Sequence, residues 1–271
     1  MVERYDLATN VWEAVAPMPS ARLHVGTAVL DGKLYAAGGW YGATSSSVER
    51  YDLATNAWEA VAPLAAARFY HAVVVLDGKL YAVGGYNDDD DDRLSSAERY
   101  DPVMNAWEAV APMATARQEH AVAVLDGKLY AVGGYGGDVL GPDRLSSVER
   151  YDPTANAWEE VAPMMAARDE LAVAVLDGKL YAVGGHGGFN NGVLSSVERY
   201  DPALDAWEEV APMAVERSTP AMGVLDGKLY AVGGYGGGRL SSVERYDPAT
   251  NAWEAAAPLT TARVFHAITV A

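Results

Sequence analysis

A chain of 271 residues in which one segment is written six times, five of the copies holding four short β-type runs, predicts an all-β propeller. The clearest mark is a pair of aromatics at fixed spacing. Tyr5, Tyr51, Tyr100, Tyr151, Tyr200 and Tyr246 are each followed seven residues later by Trp12, Trp58, Trp107, Trp158, Trp207 and Trp253. The copies recur every 46 to 51 residues, a period that signals a repeat architecture. No segment carries helical periodicity over ten or more residues.

The four runs follow in order. Strand a reads H-A-V-A-V-L, b reads K-L-Y-A-V-G-G, c reads S-V-E-R-Y and d reads A-W-E-x-V-A. Asp-Gly between a and b, as at Asp126-Gly127, is the signal for a two-residue type I′ hairpin. Asp-Pro-x-x-Asn between c and d supplies a turn, with Pro presetting φ and Asx side chains bonding backbone. A lone four-stranded sheet has two uncovered faces, and stacking sheets around an axis buries both. The Tyr and Trp of c and d serve as plates, each burying roughly 150–250 Å². The Gly pair closing strand b, such as Gly84-Gly85, leaves room for a close neighbour. A solenoid is disfavoured because its terminal repeats need distinct caps, and here the first and last units look alike.

Composition narrows the chemistry. The net charge is -17 and there is no cysteine, which removes disulfides, thiolate catalysis and Cys-ligated metals. The acid excess argues against nucleic acid as partner. No apolar run approaches the ~20 residues of a membrane span. Met1 leads straight into the first repeat, so no signal peptide is expected; the compartment stays open and is compatible with the cytoplasm.

These residues resemble the kelch-repeat family. The Gly doublet, the Tyr before it (Tyr35, Tyr81, Tyr130, Tyr181, Tyr230) and the Tyr-to-Trp spacing are its pattern. Ser-Val-Glu-Arg-Tyr-Asp-Pro and Val-Ala-Pro-Met are similar to the kelch domains of kelch-like substrate adaptors of cullin ubiquitin ligases, without their BTB and BACK domains. The resemblance implies a six-bladed propeller of four-stranded antiparallel blades, with a at the axis and d outside. Complete blades are expected over residues 22–63, 68–112, 117–163, 168–212 and 217–258, within one domain covering 1–271. A closing blade would join residues 2–16 to 263–271 and would lack strand b. Truncation, an oligomeric or strand-exchanged arrangement, and an open slot are three readings of that gap.

Two kinds of segment vary between copies. From Trp to the second Gly of the next doublet is always 27 residues, whereas from that Gly to the next Tyr the gaps are 12, 15, 17, 15 and 12. All length variation therefore falls between b and c. The second variable segment is the triplet after the arginine that opens strand a: Leu23-His24-Val25, Phe69-Tyr70-His71, Gln118-Glu119-His120, Asp169-Glu170-Leu171, Ser218-Thr219-Pro220 and Val264-Phe265-His266. Because strands alternate direction, b–c and d–a loops share one face. All three phenylalanines including Phe189, all five histidines, Trp40 and Tyr41 lie in these segments. Binding concentrates on loops of a rigid scaffold, and aromatics are favoured anchors.

The candidate contacts extend to the arginines and to the residue after each doublet. Arg22, Arg68, Arg117, Arg168, Arg217 and Arg263 match positions that, in the adaptors this chain resembles, grip acidic peptides. Planar guanidinium suits carboxylate, but pairing with a neighbouring carboxylate or backbone is the competing reading. Trp40, Tyr86, Tyr135, His186 and Tyr235 either contact a partner or cap the blade ends. The Asn87–Asp92 run lacks the spaced pattern of a calcium loop and reads as a solvated loop. The histidine slot also accepts Val, Leu and Pro, so packing is favoured over a metal. No nucleophile–base pair is visible.

The leading expectation is a non-catalytic propeller with no cofactor, binding a protein or peptide on the b–c and d–a face. Leu23, His24, Phe69, Tyr70, Val264 and Phe265 would take apolar groups, and Gln118, Glu119, Asp169 and Glu170 polar or cationic ones. Ser218 and Thr219 complete the set. The alternatives are a consensus-like or engineered scaffold without a native partner, favoured by the near-identity of the copies, and a sugar-processing or glycan-binding propeller.

Overall fold

The computed structural model describes residues 2–6, 11–89, 92–136, 144–187 and 192–264. They build five four-stranded antiparallel blades, each ordered a-b-c-d. Blade one consists of Gly26–Leu30, Lys33–Ala37, Val48–Asp52 and Ala57–Val61. Blade two consists of Ala72–Leu76, Lys79–Val83, Ala97–Asp101 and Ala106–Val110. Blade three holds Ala121–Leu125, Lys128–Val132, Val148–Asp152 and Ala157–Val161. Blade four holds Ala172–Leu176, Lys179–Val183, Val197–Asp201 and Ala206–Val210. Blade five holds Ala221–Leu225, Lys228–Val232, Val243–Asp247 and Ala252–Ala256. Successive a strands are neighbours from blade one to blade five.

The expectation of six blades is corrected: this is a five-bladed propeller. Glu3–Asp6 and Val11–Ala14, the c and d strands of the expected closing blade, form a separate two-stranded ribbon. The expected terminal strand a falls outside the described residues. The physical reason lies in the ladder. Strand b pairs with a on one side and c on the other, as Leu129 does with Val124 and Tyr151. Without b, strand c has no route to a and keeps only its hairpin partner.

Local rules place the turns as expected. Asp126 and Gly127 sit at φ 51° and 70°, the left-handed pair a type I′ turn requires. In the Gly84-Gly85 doublet, φ is 62° and 103°. A Cβ on Gly84 would lie 2.6 Å from the Arg117 carbonyl of the next blade, so both conformation and space demand glycine.

One device repeated five times joins each blade to what precedes it. Trp58, Trp107, Trp158, Trp207 and Trp253 donate Nε1–H to the carbonyls of Ala16, Ala62, Ala111, Ala162 and Ala211 at 2.8–3.0 Å. The N–H groups of those same five residues donate to Asn56, Asn105, Asn156, Asp205 and Asn251. Each of these side chains also accepts from the Tyr hydroxyl of its own strand c, at 2.7–2.9 Å. The seven-residue spacing from Tyr to Trp thus fixes a two-point grip on the main chain of one residue. Ala16 carries the N-terminal ribbon onto blade one by the same grip.

Apolar layers fill the blade interfaces. Leu76, Tyr81 and Val83 of blade two pack with Leu129, Ala131 and Tyr151 of blade three. The far flank of blade five differs: Val224 and Leu225 are 42% and 59% exposed, against 3% for Leu125 in blade three.

Candidate binding rim

The arginine opening strand a is structural. Arg68, Arg117, Arg168 and Arg217 have fully buried side chains, each paired with a carboxylate of its own blade: Glu98, Glu149, Glu198 and Glu244, at 2.6–2.9 Å. Arg117 also donates Nη1–H to the carbonyls of Gly133 and Ser147. The carboxylates in turn accept backbone N–H groups, as Glu149 does from Ala114 and Thr115. Arg22 makes the corresponding pair with Glu49 at 2.9 Å. These five guanidinium groups are therefore corrected from candidate contacts to supports of the rim. Their position at the strand entrance was legible, but burial is a tertiary property.

Above them the two variable segments meet. The first residue of each triplet pairs antiparallel with the residue after the Gly doublet: Leu23 with Trp40, Phe69 with Tyr86, Gln118 with Tyr135, Asp169 with His186, Ser218 with Tyr235. The middle residues His24, Tyr70, Glu119, Glu170 and Thr219 all sit at φ 47–55°, a region costly for side chains and worst for a β-branched one. Hydrogen bonds hold them there. Glu119 N–H donates to the Tyr70 carbonyl, Glu170 N–H to Glu119, and Thr219 N–H to Glu170. One main-chain course thus runs from blade two to blade five, and the left-handed kink separates the middle side chain from the buried third residue below.

The rim has two chemically distinct sectors. Over blades one and two, the rings of His24 and Tyr70 lie 4.1 Å apart, and Phe69 contacts Tyr70 at 4.8 Å and Tyr86 edge-on at 5.4 Å. Leu23 and Tyr41 stand out into solvent, 57% and 73% exposed. Trp40 Nε1 donates to Asp88 Oδ2 at 2.8 Å, tying the loops of the first two blades. Over blades three and four lie Glu119, Asp169 and Glu170. Burial first, then the neighbouring Glu170 and Asp169, pushes Glu119 up to about 7. Burial likewise raises Asp169 and Glu170. Arg144 partly compensates through Nε to Asp169 at 3.1 Å, and Arg93 and Arg144 lie 4.5 and 5.8 Å from the Tyr135 ring centroid.

Several candidates change role. Phe69, Asp169 and Ser218 are buried and underpin their neighbours. Tyr235 is 44% exposed, and Arg263 and Val264 lie at the described end of the rim, where Arg263 pairs with Leu240. Phe189 and Phe265 fall outside the described residues. The third triplet positions His71 and His120 are buried; burial chiefly, with nearby arginines, holds His120 down at about 3 and His71 well below its ordinary value. Sequence reading missed Asp88, Arg93 and Arg144 because they come from loops of irregular length, where no spacing marks them. Among the described residues, no group of three or more His, Asp or Glu is placed to hold a metal ion.

Comparison with known proteins agrees with the repeat and the fold. A family model described as the KLHDC2/KLHL20/DRC7 kelch-repeats domain covers residues 2–134 and 70–271 in two overlapping matches. Human kelch-like protein 11 is 40% identical over 53 residues, 20% of this chain and 8% of its own length. Mouse kelch-like protein 35 is 49% identical over 51 residues, and human kelch-like protein 4 is 54% identical over 46, covering 19% and 17% of this chain and 9% and 6% of theirs. The matched segments thus span less than a tenth of these relatives. A solved structure titled "Structure of YjhT" superposes with a TM-score of 0.78 at 19% identity, covering 92% of this chain and 88% of the other, and so shares the fold. With the repeat grammar, the blade grip and the family model in agreement, the chain belongs to the kelch-repeat family and is a kelch β-propeller resembling the kelch-like proteins.

Proposed function

We propose that the chain is a non-catalytic kelch propeller that binds a protein or peptide across the rim formed by the b–c loops and the post-arginine triplets. The observation that carries this reading is the pairing of every described variable triplet with a variable loop into one continuous surface. Rigid main chain beneath freely varied side chains is the arrangement binding loops share. Leu23, His24, Tyr41 and Tyr70 supply apolar anchors, and Glu119 and Glu170 receive cationic groups of the partner. The test is selection from a displayed random peptide library, repeated on a Leu23→Ala/Tyr41→Ala/Tyr70→Ala variant of unchanged secondary structure. Selected peptides should pair aliphatic or aromatic residues with Lys or Arg and lose at least tenfold in affinity for the variant. Equal binding to the flattened rim overturns the reading.

A further inference from the structure

Five homologous positions on the rim start from the same plan, and blade one departs from it. In blades two to five the b–c loop ends in leucine: Leu94, Leu145, Leu194 and Leu240. Leu145 fills the space between Ala116 and Gly136; a Cβ on Gly136 would meet the Ala116 carbonyl at 2.4 Å and Leu145 Cδ1 at 2.8 Å. Glu216, Gly236 and Leu240 repeat that arrangement in blade five. In blade one the corresponding residues are Ala21, Tyr41 and Ser45. The leucine is gone, and the position that is glycine in blades three to five and Asn87 in blade two has become an exposed tyrosine.

A second change loosens the same wall. In blades two to five, two N–H groups ahead of the arginine tie that stretch to the buried glutamate, as Ala65 and Ala66 do to Glu98, or Ala114 and Thr115 to Glu149. Blade one has Pro19-Ser20 there. Proline has no N–H to give, and Glu49 accepts only from Arg22 among the described residues. There the surface holds an open groove of about 530 Å³ walled by Ala21, Arg22, Tyr41, Thr44, Ser45 and Ser47 among others, within the ~300–1,000 Å³ of small-ligand sites. Most of its side-chain polar groups are engaged, Arg22 Nε–H being the exception. Ser45 and Ser47 hydroxyls bond each other at 2.8 Å, Thr44 bonds Asp88, and the Arg22 charge is balanced by Glu49. No unbalanced charge is left in that wall to call for an ionic guest.

We propose that this groove is a subsite for an aliphatic side chain of leucine type on a bound peptide, which takes the place that blades two to five fill with their own leucine. This rests on the reading of the rim as a peptide-binding surface and assigns one pocket within it. Tyr41 flanks the entrance and covers the inserted side chain.

The probe is N-acetyl-leucine methylamide, followed by amide chemical shifts, with the glycine and lysine analogues as controls. The leucine compound should shift Thr44, Ser45 and Ser47 saturably, with a Kd in the low millimolar range expected of so small a ligand. The glycine and lysine compounds should leave those signals in place. Tyr41→Gly/Ser45→Leu, which rebuilds the blade-three arrangement, should fold with an unchanged or higher Tm and weaken the leucine probe at least tenfold; Ser45→Leu alone is the second variant. Equal response to the glycine probe, preference for the lysine probe, or undiminished binding by a folded plugged variant overturns the subsite. Library peptides that bind wild type and the plugged variant equally would sink the subsite while leaving the wider rim reading intact. A saturating leucine probe without any rim-selected peptide would do the reverse.

Discussion

Four tryptophans grip the blade before their own and a fifth grips the N-terminal segment at Ala16, all at 2.8–3.0 Å, and five Asx side chains complete the grip. On the rim, five middle residues of four different chemistries (His24, Tyr70, Glu119, Glu170 and Thr219) share one backbone conformation at φ 47–55°. In the wall, each side chain bonds a fixed main-chain or side-chain partner, so replacing it orphans that partner. On the rim, main-chain bonds hold the shape, so side chains are free to differ. A repeat that needs both a fixed frame and a variable surface separates them by assigning side-chain bonds to one and backbone bonds to the other.

The sharpest way to break that contrast is to attack a buried pair. Glu149→Ala leaves the fully buried Arg117 without its carboxylate and two N–H groups without an acceptor. It should cost about 3–5 kcal/mol in urea unfolding. Glu159→Ala removes the partner of Arg150 at a site where the glutamate is 55% exposed and should cost under ~1 kcal/mol. Similar losses for the two would end the distinction between wall and surface.

The flank of blade five tests whether frame strength follows burial or strand order. Leu125→Ala, at 3% exposure, should lose about 2–5 kcal/mol. Leu225→Ala, at the equivalent register but 59% exposed, should lose about 0.5 kcal/mol or less. Equal destabilisation would mean that Leu225 is covered in solution.

Acid should expose the layer just under the rim. His71 and His120 titrate below the ~6.5 of an unfolded chain, so below that pH the unfolded state binds more protons. Their contribution is complete above about 6.5 and is lost as pH falls below it, for His120 down to about 3, at up to about 1.4 kcal/mol per pH unit for each. Glu119 acts with the opposite sign. Its folded value of about 7 against an ordinary 4.5 gives stability present below 4.5 and lost as pH rises through 7. His120→Phe should flatten the acid limb, and Glu119→Gln the neutral one, in thermal melts from pH 4 to 8. Binding of Lys- or Arg-bearing peptides should strengthen from pH 6 to 8, and an unchanged affinity over that range would remove Glu119 from the contact.

The smallest effect belongs to the rim itself. Leu23→Ala, at 57% exposure, should move stability by no more than about 0.5 kcal/mol while reducing affinity for rim-selected peptides. A clear loss of Tm would transfer Leu23 from surface to frame.

The string of residues specified the repeat, the four-strand blade, the type I′ turns and the sharing of one face by two variable segments, because these follow from local periodicity, turn chemistry and strand direction. It located Arg68, Arg117, Arg168 and Arg217 at the strand entrance but could not say that their charge is spent on Glu98, Glu149, Glu198 and Glu244, since the partners stand 27 to 32 residues away along the chain. It offered Phe69 as an anchor, whereas the packing of His24, Tyr70 and Tyr86 around it makes it a support. It counted six copies, but five become blades, because a blade needs strand b to connect the ladder from a to c. The groove in blade one was equally invisible: a serine in place of leucine is a small change in a string of letters, and an opening only where three dimensions leave it unfilled.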